Sequence, residues 1–135
     1  MTQYSDHLSL WLSGLEGADK YKVLNKILAD DCVFYSPVMH TPQKGKQLTF
    51  LYLASAFTVL LKEGKFKYCR ILEQGHDAVL EFETEIDGIH INGVDMMTFN
   101  EAGQITEFEV MLRPLKALEK VRALMMAELE AAKSA

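Results

Sequence analysis

Apolar residues recur along this chain at two spacings, and the change from one to the other falls near residue 65. Before that point the spacing is helical. Ser5 can cap a short helix reaching about Leu12, the region from Gly14 to Gly17 interrupts it, and a second helix with Tyr21, Leu24, Ile27 and Leu28 inward runs to about Ala29. Cys32-Val33-Phe34-Tyr35 is a short β-branched and aromatic strand, ended by Ser36-Pro37 and an irregular loop that lasts until Gly45. A third helix over about 46–62 follows. It is apolar nearly all round, so it should be covered on more than one side, by the sheet and by the first two helices.

From Lys65 onward the period is two. Phe66, Tyr68 and Leu72 alternate with Lys65 and Lys67, and Leu80, Phe82, Thr84 and Ile86 alternate with Glu81, Glu83 and Glu85. Turn signals at residues 74–77, 87–88 and 100–103 join four long strands into an antiparallel meander that ends at Arg113. Pro114 stops the last strand. A closing helix over 115–135 sets Leu118, Val121, Met125 and Leu129 on one stripe, with Lys116, Lys120, Arg122 and Glu128 elsewhere. This order predicts one α+β domain over 1–135, with helices gathered on one face of a curved antiparallel sheet.

Strand parity then sorts the side chains. If the apolar set faces the helices, Leu80, Phe82, Thr84 and Ile86 point inward with Phe108, Val110 and Leu112 of the last strand. Glu81, Glu83, Glu85, Glu107 and Glu109 fall outside, where carboxylates beside Lys65 and Lys67 read as a solvated surface or a dimer rim rather than a cation site. The strand over 90–99 offers Ile89, Ile91, Asp95, Met97 and Phe99 on its more apolar side. That side carries a single carboxylate, Asp95, which must find a partner or stay protonated. Two readings of it stand: a functional acid in a pocket, or a structural aspartate held by a backbone N–H or by Arg113.

Bulk composition narrows the partners. A chain of 135 residues, 49% hydrophobic and 24% charged, can bury a core without disulfides or metal. Its net charge of -5, with 14 Lys+Arg thinly spread, argues against nucleic acid and against an anionic membrane surface. Cys32 and Cys69 are isolated thiols, and no cysteine or histidine spacing suits a metal, so no metal and no cofactor are expected. No signal peptide is visible, and the longest apolar stretch, residues 50–61, is too short to span a bilayer. The expected compartment is the cytoplasm.

The stretch Leu28-Ala29-Asp30-Asp31-Cys32-Val33-Phe34-Tyr35-Ser36-Pro37-Val38, with Gly45 opening a helix, resembles the nuclear transport factor 2-like superfamily, which includes SnoaL-like cyclases, ketosteroid isomerases and limonene epoxide hydrolases. Gly93-Val94-Asp95-Met96-Met97-Thr98-Phe99-Asn100-Glu101-Ala102-Gly103-Gln104-Ile105 looks like the penultimate hairpin of ketosteroid isomerases. The resemblance implies a cone whose strongly curved sheet wraps an apolar cavity, and a homodimer paired through the outside of the sheet. In ketosteroid isomerases a carboxylate base works with a tyrosine and a protonated aspartic acid. Asp95 matches the protonated acid. The base position, just before Pro37, holds Ser36, and the tyrosine position falls on or beside Trp11, so the family's isomerase chemistry is not carried over intact. The Asp, Arg, Asp arrangement of the epoxide hydrolases is not found, since Arg113 lies at the far end of the last strand.

The expected lining of the cavity is Trp11, Phe34, Ser36 and Phe57 from the first half of the chain. From the strands come Phe82, Thr84, Met97, Phe108, Val110 and Leu112. His40, in the loop after Pro37, is the second group that could join Asp95 in acid/base work, or else an exposed loop histidine. Tyr52 and Tyr35 could supply a phenol. Two functions follow. One is a SnoaL-like domain binding a small lipophilic molecule of isoprenoid, steroid or polyketide type, with cofactor-free isomerase, cyclase or hydrolase activity as its chemical extension. The other is a non-catalytic binding or dimerisation module.

Overall fold

A computed structural model describes residues 4–134. Two helices, α1 (Asp6–Glu16) and α2 (Lys20–Ile27), lead into the first strand, β1 (Leu28–Tyr35). Ser5 caps α1 by accepting from the Leu8 amide, as its place before the apolar run predicts. The second helix stops two residues short of the expected Ala29, because Leu28 and Ala29 are already extended and buried in β1.

The loop after β1 contains a two-residue strand, β2 (Gln43–Lys44), antiparallel to β1. A segment this short leaves no period to read. Gly45 follows at φ 97°, a conformation that favours glycine, and its amide donates to the Cys32 carbonyl at 2.8 Å as helix α3 (Lys46–Leu60) begins. The meander is β3 (Lys67–Gln74), β4 (Asp77–Ile86), β5 (Ile89–Phe99) and β6 (Ile105–Arg113), followed by α4 (Leu115–Ser134). Residue 135, the end of the expected closing helix, lies outside the described residues.

The six strands form one curved sheet in the order β2-β1-β6-β5-β4-β3. All pairings are antiparallel except β1 with β6, which makes the sheet mixed. Helices cover the inner face, where Leu80, Phe82, Ile86, Ile91, Met97, Phe99 and Phe108 are buried. Parity holds along β4, β5 and β6, with the glutamates of β4 and β6 on the opposite side.

Parity fails in β3. Tyr68 pairs with Phe82, but the next register partner of Glu81 is Arg70, so Cys69 is the extra residue of a β-bulge. The slip brings Ile71 and Glu73 toward the helices and leaves Leu72 60% exposed, the reverse of its expected direction. Inward Glu73 has a structural use. Its carboxylate accepts from the backbone amide and the hydroxyl of Ser5, tying the start of α1 to the sheet edge.

Gly93 marks the tightest point of the inner face. A Cβ placed there would collide with Phe82 Cζ and lie 2.8 Å from a Leu112 methyl, so only a bare backbone lets the Phe82 ring cross β5. In the β4–β5 turn, Asp87 meets Lys120 of α4 at 2.7 Å, a surface ion pair between the closing helix and the sheet.

Candidate functional site

Asp95 sits at the centre of β5 with Leu80 and Val110 as its lateral partners, both buried and apolar. Its side chain enters the interior and is 7% exposed. Among the described residues no basic side chain reaches it. Arg113 is exposed and stands opposite Asn92, so it is not the partner of Asp95. The partner is Tyr68, whose hydroxyl reaches from β3 across β4 and donates to Asp95 Oδ2 at 2.7 Å. Trp11 of α1 completes the line, with Nε1 donating to Tyr68 Oη at 3.1 Å.

Burial dominates the acidity of this group. Removal from water lifts the Asp95 pKa to about 7, partly offset by the Tyr68 hydrogen bond, which favours the carboxylate. The Tyr68 phenol is pushed well above its usual value, first by its own burial and then by the carboxylate beside it. Tyr68 as a whole residue is only half-buried; the hydroxyl end is the enclosed part. An aspartic acid that is part protonated near neutrality can donate a hydrogen bond or pass a proton under ordinary conditions.

The acid opens onto a cavity between the sheet, α1, α3 and α4. Aromatic walls shape it: Phe34 and Phe108 lie 6.1 Å apart, Phe66 flanks Tyr68 edge-on at 5.1 Å, and Phe57 closes the α3 side. Leu15, Leu53, Leu60 and Leu61 contribute further apolar surface, and Val121 and Met125 of α4 form the cover. Among the described residues, Asp95 and Tyr68 are its only ionisable lining side chains. The space is narrow, with about 40 Å³ open to the centre of a water-sized sphere. That holds water but little more without movement of the walls.

Of the residues expected here, Phe34, Ser36, Phe57, Phe108, Val110 and Leu112 line the cavity with Asp95. Trp11 stands behind Tyr68, packed on Phe57 and Phe108 at 5.7 and 5.2 Å. Phe82, Thr84 and Met97 point inward but belong to the packed core: Phe82 stacks on Phe66, and the Thr84 hydroxyl donates to the Leu60 carbonyl. His40 is exposed on the loop and does not line the cavity, although its neighbours Pro37 and Val38 do. The Ser36 hydroxyl accepts from the Val38 amide at 3.1 Å and keeps its own proton available.

Tyr68 is the residue that strand pattern left unassigned. Its inward parity beside Phe66 was legible, and a buried phenol needs a polar partner. Only the lateral order of three strands pairs it with Asp95.

No family model and no curated protein sequence matches the chain. Solved structures do. A steroid delta-isomerase from Pseudomonas aeruginosa is 28% identical over all of both chains, with a TM-score of 0.85. An uncharacterised protein with a cystatin-like fold from Silicibacter pomeroyi is also 28% identical, covering 90% of this chain and 84% of that one at a TM-score of 0.80. A hypothetical protein with a ketosteroid isomerase-like fold from Catenulispora acidiphila, in complex with trimethylamine, shares the fold at 11% identity, with a TM-score of 0.61 over 85% of this chain and 90% of that one. The helix-covered curved sheet and these neighbours support assignment of the chain to the nuclear transport factor 2-like superfamily.

Proposed function

We propose that the chain binds a small, neutral, lipophilic molecule of isoprenoid, steroid or polyketide type, and that Asp95 meets a carbonyl or hydroxyl of that molecule. One observation carries this reading: a lone carboxyl, buried in an apolar cavity and titrating near neutrality, with a phenol rather than a cation as its partner. A charged ligand would find no counter-ion on these walls, whereas an apolar body with one polar end suits their chemistry once the walls move to admit it. The similarity to a steroid delta-isomerase supports the steroid arm of the proposal.

Acid/base isomerisation, cyclisation or hydrolysis without a cofactor is the chemistry available to this group. With Ser36 where ketosteroid isomerases carry their base, and with His40 outside the cavity, Asp95 alone would take a proton from the substrate and return it. A thermal-shift screen of steroids, terpenoids and aromatic polyketides against the wild type, Asp95→Asn and Asp95→Ala tests binding. Stabilisation of the wild type that weakens in both variants is the expected result. No stabilisation by any member of the three classes would sink the proposal.

The alternative, a non-catalytic module, is favoured by the narrowness of the cavity and by Ser36. In that reading and in the first, the outer sheet face is proposed as a homodimer surface. Leu72, Val79 and Met96 lie in one row across β3, β4 and β5, beside the Val94 and Met111 pair, and Met111 is 53% exposed.

A further inference from the structure

The hydrogen bonds behind Asp95 run in one direction, from Trp11 through Tyr68 to the carboxyl. An indole N–H donates and has no acceptor site. Tyr68 Oη therefore accepts from Trp11 Nε1, and the acceptor its own proton finds among the described residues is Asp95 Oδ2. A phenol in place of the indole could donate or accept, and the line could reverse. Trp11 cannot swing away either: it is 2% exposed and wedged between Phe57 and Phe108.

Oδ2 is thus an acceptor whether or not the carboxyl is ionised. With the Tyr68 proton in the 2.7 Å gap, Oδ2 accepts best as the carbonyl oxygen of the neutral acid, which places the acid's own proton on Oδ1. Oδ1 has no hydrogen-bond partner among the described residues. We propose that Trp11 is a positioning residue that acts through Tyr68, fixing the proton of Asp95 on Oδ1 and so making that oxygen the donor presented to a ligand. The proposal rests on the reading of Asp95 as the acid of the cavity. It adds that the acid has one donor oxygen and one acceptor oxygen, chosen by a side chain that touches neither the carboxyl nor the cavity.

Trp11 is the only tryptophan of the chain, so its indole N–H gives a single resonance and its replacement during biosynthesis is site-specific. The experiment follows that resonance and the carboxyl carbon of ¹³C-labelled Asp95 in the full, ligand-free chain, from about pH 5 to about pH 9. The expected result is that both titrate with one midpoint, and that Tyr68→Phe abolishes the indole titration while Asp95 still ionises. Replacing Trp11 by benzothienylalanine, which keeps the ring shape and removes the donor, should shift the Asp95 midpoint upward. An indole signal indifferent to pH while Asp95 titrates overturns the proposal and leaves the site intact. So does an indole titration that survives Tyr68→Phe, or an Asp95 midpoint unmoved by benzothienylalanine. An Asp95 carboxyl that stays ionised throughout sinks the underlying reading of the site, and the proposal with it.

Discussion

Asp95→Asn separates the electrostatic cost of the buried acid from its packing. In the unfolded chain the carboxyl titrates near 3.8, and in the fold at about 7. A raised pKa means that the folded state holds the proton more tightly, so stability is greatest below the unfolded pKa and is lost as pH rises through the folded one. The gap is worth about 4 kcal/mol once both states are ionised, and about 2 kcal/mol of that is already lost at pH 5. Asparagine carries no charge and can still accept from Tyr68, so its stability has no such slope. Urea unfolding at several pH values gives the difference directly. Relative to the wild type, Asp95→Asn should gain roughly 2 to 3 kcal/mol between pH 5 and pH 9, most of it by pH 7. A difference that is the same at every pH would refute the claim that Asp95 is buried as a poised acid.

Three further outcomes follow from the packing. Gly93→Ala should cost about 1–3 kcal/mol in urea unfolding, since its methyl would collide with the Phe82 ring and a Leu112 methyl. Met125→Ala should cost about 2–5 kcal/mol and, by opening the α4 side of the cavity, extend the range of apolar ligands that raise the melting temperature. On the proposed homodimer surface, the wild type should sediment as a dimer, and paired Leu72→Glu and Met111→Glu substitutions should lower that mass to the monomer's while leaving the Asp95 titration unchanged.

Much of this was legible before any coordinates. Asp95 was readable as an inward acid because β5 alternates without a bulge between Ile89 and Thr98. The Leu72 direction was not, because one extra residue at Cys69 reverses every side chain beyond it while leaving the local composition of the strand unchanged. The Tyr68–Asp95 bond escaped for a different reason: it joins strands that are two apart in the sheet, and periodicity within a strand carries no information about lateral neighbours. Val121 and Met125 were readable as the buried stripe of α4, but that the stripe roofs a cavity depends on where the helix docks. His40 had the right chemistry in a nearby loop, yet a loop without period leaves side-chain direction open.

The parallel pairing of β1 with β6 also sets an order of events. β1 belongs to the first third of the chain, but apart from two-residue β2 its sheet neighbour is the last strand. Hairpins β3–β4 and β4–β5 can close from local contacts, whereas β1 must wait through the synthesis of almost everything between. During that interval the apolar side of α3, which finally rests on β1, has no sheet to lie against. A chain stalled on the ribosome before β6 would therefore be an aggregation hazard, and the arrival of β6 is the step that ends it.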